Sequence, residues 1–464
     1  MLALADPMRI VGLLLILLSI PVLIGWLRRY PRHRKWAYLG IGALPFLISA
    51  FNLDAAFVTW PAWPGYAKGI VVSLLDTLAI AILATSRRPL RKLPFLLLFL
   101  AYLLAVALSL AVSSLPMSSF FYLSQLVRVL LIFVAVASFA GDPRAIRWLS
   151  FGLALGAIFQ AVVTIDQRLS GVVQAAGTMG HQNLLGLMLH FVTLPLLALL
   201  LAGERSKLIM FGVLAALVAV ALGASRGTVG FVAIGVAFLF VLSLARRPTT
   251  HKWKIVGLAV VALAIVAPIA MTSFQERFTV RPVSQGSDEE RLAFERAAKS
   301  MWRDHPMGVG ANQYVVVANS QGYSARAGVI WNWASRSANV HNMYLLAAAE
   351  TGWPGFLTFI ALLSIPIIRG LIFAFRNRRD ARGEIVLGAS VTFMILGLHG
   401  LYEWVFVVYH AQYVFAIALG IVAGCIRQMK IERQSQATTA RSYRPASIKD
   451  ASASPLAHAS EKSR

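Results

Sequence analysis

The side chains best suited to chemistry are one histidine and a few arginines placed at the edges of apolar runs. His341 heads the segment His341-Asn342-Met343-Tyr344-Leu345, and Glu350, Gly352 and Gly355 follow it. An imidazole at the head of a short helix can act as a neutral base near pH 7; it can equally cap or pack. Ala224-Ser225-Arg226-Gly227 is a tight turn between two apolar runs. It sets Arg226 at the depth of lipid phosphates, where a snorkelling arginine is also at home. Arg291 follows Ser287-Asp288-Glu289-Glu290. That is a capping box, and it predicts a helix from Asp288 to about Arg303. Arg296, Lys299 and Arg303 share this helix, so a solvated charged face is the plainer account of any one of them. His181 and Asn183 lie in Gly180-His181-Gln182-Asn183 just before an apolar run, where Asn183 reads as a helix cap. Arg128 sits inside an apolar run, an expensive position that defaults to a functional hypothesis. Asp76, His190, His399 and Glu403 are weaker cases, for which buried pairing is a sufficient explanation.

Two or three guanidinium groups beside an imidazole suit a substrate with a diphosphate leaving group. Bidentate arginine contacts stabilise charge growing on phosphate oxygens, and the imidazole takes a proton from an attacking hydroxyl. The sequence has no His-Glu-x-x-His pattern, no paired aspartates near His341 and no P-loop, and its one cysteine, Cys425, lies in an apolar run. Neither a metal nor a cofactor is therefore expected, and nucleotide-driven chemistry is excluded from the reading.

The elements that must position these residues are set by composition. The 464 residues are 58% hydrophobic and 13% charged, with mean hydropathy +0.71; soluble domains carry about 25% charged residues. Apolar runs fall near 8–27, 36–51, 69–84, 94–112, 122–140, 148–165, 183–202, 208–223, 228–245, 255–271, 353–373, 385–401 and 412–426. Runs of this kind predict an all-α polytopic membrane protein with about 12 (12–13) transmembrane helices. The net charge of +24 is distributed in a way that argues against nucleic acid. Loops 28–35, 85–93, 141–147, 203–207, 245–254 and 374–384 hold 21 Lys and Arg, and the alternating loops 52–68, 113–121, 166–182, 224–227 and 402–411 hold three. The first set is expected in the cytoplasm and the second outside it. Parity places the polar stretch 272–343 outside, as a structured loop covering the membrane. Arg226, Arg291, His341, Asn183 and the outer end of the Arg128 run then share one side. The expected organisation is about ten spans over 1–271, the outer loop over 272–343, further spans over 344–426 and a disordered basic cytoplasmic tail over 427–464.

These residues resemble the O-antigen ligase and polymerase superfamily of multi-span bacterial membrane proteins with one large periplasmic loop. The resemblance covers roughly residues 170–425. It is carried by His341-Asn342-x-x-Leu345 through Glu350-x-Gly352-x-x-Gly355, by Ser225-Arg226-Gly227, and by Arg291 followed by Asp304-His305-Pro306-Met307-Gly308-Val309-Gly310. Gly177-Thr178-Met179-Gly180-His181-Gln182-Asn183 and His399-Gly400-Leu401-Tyr402-Glu403 are similar to further family segments. The resemblance implies an inner-membrane, metal-independent glycosyltransferase whose active site faces the periplasm. It takes an undecaprenyl-diphosphate-linked glycan donor and an acceptor glycan, either lipid A core or another lipid-linked repeat unit. In this scheme Arg226 and Arg291 grip the diphosphate, with Arg281 and Arg277 as rivals for the second position, and His341 activates the acceptor. Arg128, His181, Asn183, Arg281, Asn342, Glu350 and Glu403 are candidate substrate contacts. A protein O-oligosaccharyltransferase and a non-enzymatic flippase for lipid-linked sugars are the alternatives.

Overall fold

The computed structural model describes residues 7–86, 92–280 and 286–442. Its elements are α1 (Pro7–Arg29), α2 (Arg34–Phe51), a hairpin of β1 (Asp54–Thr59) and β2 (Gly69–Ser73), α3 (Leu74–Thr85), α4 (Leu96–Ser109), α5 (Pro116–Phe139), α6 (Pro143–Leu169), α7 (Gln182–Leu201), α8 (Lys207–Leu222), α9 (Arg226–Arg246) and α10 (Thr250–Val280). A lid of α11 (Gly286–Asp304), α12 (Tyr314–Ser320) and the single turns α13 (Tyr323–Arg326) and α14 (Trp333–Arg336) follows. The chain then returns through α15 (Met343–Arg376), α16 (Ala381–His399) and α17 (Tyr409–Ser442). Among the described residues nine helices are long and apolar enough to cross a membrane, and three shorter apolar helices accompany them. The protein is an all-α polytopic membrane protein, as its apolar runs require. Helix α7 is the centre of the bundle, buried from Leu184 to Leu201.

The run expected over 69–84 is not one helix. Ile70, Val71 and Val72 are β-branched and pair with β1, in keeping with the preference of such residues for strands. The helix starts only after Ser73, where Ser73 and Asp76 form a reciprocal capping box. The twelve residues of α3 rise about 18 Å, short of the roughly 30 Å of a hydrocarbon core. Arg34 donates to the carbonyl of Thr85 at 2.6 Å, so the start of α2 and the end of α3 share the basic-loop face. The hairpin lies at the opposite end, where Asn312 of the lid donates to the Ala67 carbonyl at 2.7 Å.

The lid is joined to α15 by main-chain hydrogen bonds. Gly352 has φ 61 and ψ −161 and breaks α15 into two helical pieces, as a glycine at a helix stop does. The carbonyls freed there are taken up: Val309 donates to Ala349 at 3.1 Å, Gly310 to Glu350 at 2.9 Å, and Trp353 to Pro306 at 2.9 Å. The approach is close enough that a methyl at Gly308 would lie 2.3 Å from the Glu350 carbonyl oxygen, and Gly308 itself has φ +84. Only glycine tolerates both conditions.

Two boundaries differ from expectation. Helix α10 continues to Val280, past the predicted end at 271. Helix α17 runs to Ser442, so residues 427–442 are helical where composition suggested disorder. Gln, Lys, Arg and Ala are strong helix formers, and this extension is held by Arg382, which donates to Glu432 at 2.8 Å, and by Arg433, which donates to Asn377 at 2.7 Å.

Candidate active site

The site lies where four elements end beneath the lid. Asn342 caps α15: its side-chain oxygen accepts from the backbone N–H of Tyr344 at 3.0 Å and of Leu345 at 3.1 Å. His341, one residue earlier, is thereby released from capping. The backbone N–H of Met343 donates to Gly400 at 2.8 Å, which fastens the head of α15 to the turn after α16. That turn delivers Glu403. Its carboxylate is 7% exposed and faces His341 Nδ1 at 3.5 Å. The nitrogen and the facing oxygen are both buried, and neither has another hydrogen-bond partner. The other carboxylate oxygen accepts from Asn183 Nδ2 at 2.5 Å and lies 3.9 Å from the Arg291 guanidinium.

Arg291 reaches this point because α11 is amphipathic. Ala293, Phe294, Ala297, Ala298 and Met301 are buried, at the i, i+1, i+4, i+5, i+8 spacing of one helix face. Phe294 packs near the His341 ring, with centroids 6.0 Å apart. The Arg291 side chain remains 46% exposed. An ion pair so long and so open contributes little to stability, so its guanidinium is free to turn to an anionic ligand.

His181 is the N-cap of α7, its Nδ1 accepting from the backbone N–H of Asn183 at 3.2 Å. Asn183, expected as the cap, instead gives its side chain to Glu403. Partial withdrawal from water lowers the His181 pKa below the usual imidazole value; Glu403 opposes that shift and His341 adds to it. His181, Asn183, Arg291, His341 and Glu403 therefore form one cluster.

Arg226 is the first residue of α9, behind the N-cap Ser225. Its side chain is exposed. The turn abuts the same 399–403 segment: a methyl at Gly227 would lie 4.0 Å from His399 Nε2, and Phe231 sits 5.0 Å from the His399 ring. Arg277, considered as a rival phosphate ligand, donates to the Ala224 carbonyl at 2.7 Å and braces this turn. Arg281 lies outside the described residues.

Three candidates stand apart from the cluster. Arg128 pairs with Asp76 at 2.8 Å and donates to the Tyr413 hydroxyl. It lies twelve residues into α5, about 18 Å along that helix, and serves as a buried interhelical pair. Glu350 is 2% exposed, and protein donors occupy its carboxylate: the Tyr66 hydroxyl at 2.5 Å and the Tyr314 N–H at 2.9 Å. It holds the lid and the hairpin to α15 and does not face the cleft. Asn342 is committed to its cap. His190 and His399 lie 5.4 Å apart and are buried. Sequence reasoning missed Tyr66 and Asn312 as lid fasteners, because nothing local marks a hairpin tyrosine as the partner of a carboxylate nearly three hundred residues away.

Residues 211–360 match the family model described as O-antigen ligase. That segment, about a third of the chain, is similar to the O-antigen ligase family. The matched O-antigen ligase segment contains Arg226, Arg291, His341 and Glu350, whereas Asn183 and Glu403 join the site from outside it. No curated protein matches the chain. The match, with the nine apolar helices long enough to cross a membrane among the described residues, supports a multi-pass membrane protein with a glycan-processing function of the ligase and polymerase type.

Proposed function

We propose that the chain transfers a glycan from undecaprenyl diphosphate to the hydroxyl of an acceptor sugar, on the periplasmic face of the bacterial inner membrane and without a metal. The observation that carries this reading is the convergence of His341, Glu403, Asn183 and Arg291 under one lid, with the Arg226 turn against the same segment. Glu403 orients His341 by facing Nδ1, which leaves Nε2 to take the acceptor proton. The acceptor oxygen then bonds to the anomeric carbon while the bond from that carbon to the diphosphate oxygen breaks. The electron pair leaves with the diphosphate, and Arg226 and Arg291 stabilise the added charge. The imidazolium passes its proton to the departing diphosphate or to water.

The acceptor is either lipid A core, which makes the reaction a ligation, or a second lipid-linked repeat unit, which makes it a polymerisation. Deleting the gene and resolving surface polysaccharide on a gel separates the two: long unattached chains mark a ligase, single capped units a polymerase. His341→Ala, still inserted in the membrane, is expected to yield no product while donor lipid reaches the outer leaflet. Donor accumulating on the inner side would indicate a flippase instead, and glycan found on protein would indicate an oligosaccharyltransferase.

A further inference from the structure

On the face opposite the lid, the last turns of α15 and the extension of α17 enclose a groove of about 590 Å³. Four cations line it: Arg369 and Arg376 from α15, Lys430 and Arg433 from α17. All four side chains are exposed. Among the described residues, the carboxylates of the adjoining segments are already engaged. Glu384 accepts from Lys252 at 2.9 Å and from Arg246, and Asp380 and Glu432 both accept from Arg382, at 2.9 and 2.8 Å. Within the groove Arg433 donates to Asn377 Oδ1 at 2.7 Å and Arg369 lies 5.7 Å from the Phe95 ring centre. Arg376 and Lys430 have no hydrogen bond or ion pair among the described residues. Four clustered like charges repel one another unless an anion lies between them.

The floor of the groove is apolar. Ile372, Phe373 and Met429 line it, and Ile365 and Ile368, 37% and 55% exposed, continue that surface one to two turns up α15 into the bilayer-spanning part. Arg369 and Arg376 are seven residues apart, about 10 Å along the helix, so the cations grade from the end of α15 into the apolar zone. A soluble anion would use only the cationic rim. Cations over an apolar floor that opens to the bilayer match a phosphate head group with acyl chains attached.

We propose that this groove binds an anionic phospholipid, a phosphodiester head group seated among Arg369, Arg376, Lys430 and Arg433 with its chains along Ile372 and Ile368. The site is separate from the glycan cleft, and the assignment is independent of the reaction proposed there. The bound lipid would tie α15, whose other end carries His341, to α17, which follows Glu403.

The test is native mass spectrometry of the full chain in detergent, titrated in turn with phosphatidylglycerol, cardiolipin, phosphatidylethanolamine, a polyprenyl phosphate and inorganic phosphate. The two anionic phospholipids are expected to give retained adducts and the zwitterionic lipid none. R376A/K430A, which removes the two cations without protein partners, should weaken those adducts about thirty-fold, since each surface cation supplies roughly a five-fold factor. The control R378A/R379A, on the same face outside the groove, should leave them unchanged. Equal losses in both pairs, or no loss in the groove pair, would overturn the site. Displacement by millimolar inorganic phosphate would make it a free-anion site, and polyprenyl phosphate binding more than ten-fold tighter would overturn the phospholipid assignment. Should R376A/K430A fold poorly, R369Q/K430Q is read against the same outcomes.

Discussion

Replacing Glu403 by Gln isolates the orienting contact. The change is nearly isosteric and keeps an oxygen for Asn183 to donate to, but removes the charge that faces His341 Nδ1 at 3.5 Å. A general base contributes about 10²- to 10⁴-fold to a rate, which sets the loss for His341→Ala. Groups that orient a functional imidazole from behind typically account for about 10- to 100-fold. The 3.5 Å separation is longer than the roughly 2.9 Å of a strong N–H···O bond, so Glu403→Gln should fall in that lower range, about 1.4–2.7 kcal/mol in barrier height. Arg226 is untouched and the Arg291 contact with Glu403 is long and open at 3.9 Å, so the loss should appear in kcat while the donor KM changes less than about three-fold. The assay is single-turnover transfer from a fluorescent lipid-linked oligosaccharide in proteoliposomes. If Glu403 acts only through His341, the double variant Glu403→Gln/His341→Ala should be no slower than His341→Ala alone, because groups working as one unit are not additive. A double variant whose losses multiply, or a Glu403→Gln effect confined to KM, would refute the dyad. Glu403→Asp should restore part of the rate.

Arg226→Ala is expected to lose about 10²- to 10³-fold in turnover with normal membrane insertion, as removal of one charge-stabilising donor does; Arg226→Lys should recover only part, since an ammonium lacks the bidentate fork. Burial and the neighbouring Glu350 push the Tyr66 hydroxyl well above its ordinary pKa of 10.0. The folded chain therefore keeps a proton that the unfolded chain releases above pH 10, so stability should fall as pH rises beyond that point. Tyr66→Phe should flatten this slope in thermal melts and cost about 1–3 kcal/mol by leaving a buried carboxylate short of a donor. Prolonged treatment with a chelator should leave transfer unchanged; activity lost in chelator and restored by magnesium would contradict the metal-free scheme.

Much of this could be read from the sequence because lipid leaves the backbone few options. Twelve of the thirteen apolar runs fall on a helix, and the glycine at 352 breaks helical geometry. The exception at 69–84 arose because a run of Ile and Val is equally apolar in a strand, and only the Ser73–Asp76 box marks where the helix starts. The site was legible in part. Turn and cap chemistry marked Arg226, Arg291 and His341 as candidates, while an apolar setting marked Arg128 as unusual without identifying Asp76, itself read as a buried pairing residue, as its partner. The role of Glu350 was misread because a carboxylate in a motif looks the same whether it meets a ligand or a tyrosine from a distant hairpin. Asn342 could have been assigned from local rules, since its type and place before a helix are those of an N-cap.

The stitching of Val309, Gly310 and Trp353 onto the broken helix at Gly352 bears on how anything reaches the cleft. Those amides and carbonyls face protein, and parting them would strand several polar groups at once. The roof of the chamber therefore travels with α15 as one solid piece, and cannot flap on a hinge at Gly308. For the proposed reaction, a lipid-linked donor would then have to enter from the side of the bilayer, because lifting the lid at Gly308 would break these hydrogen bonds.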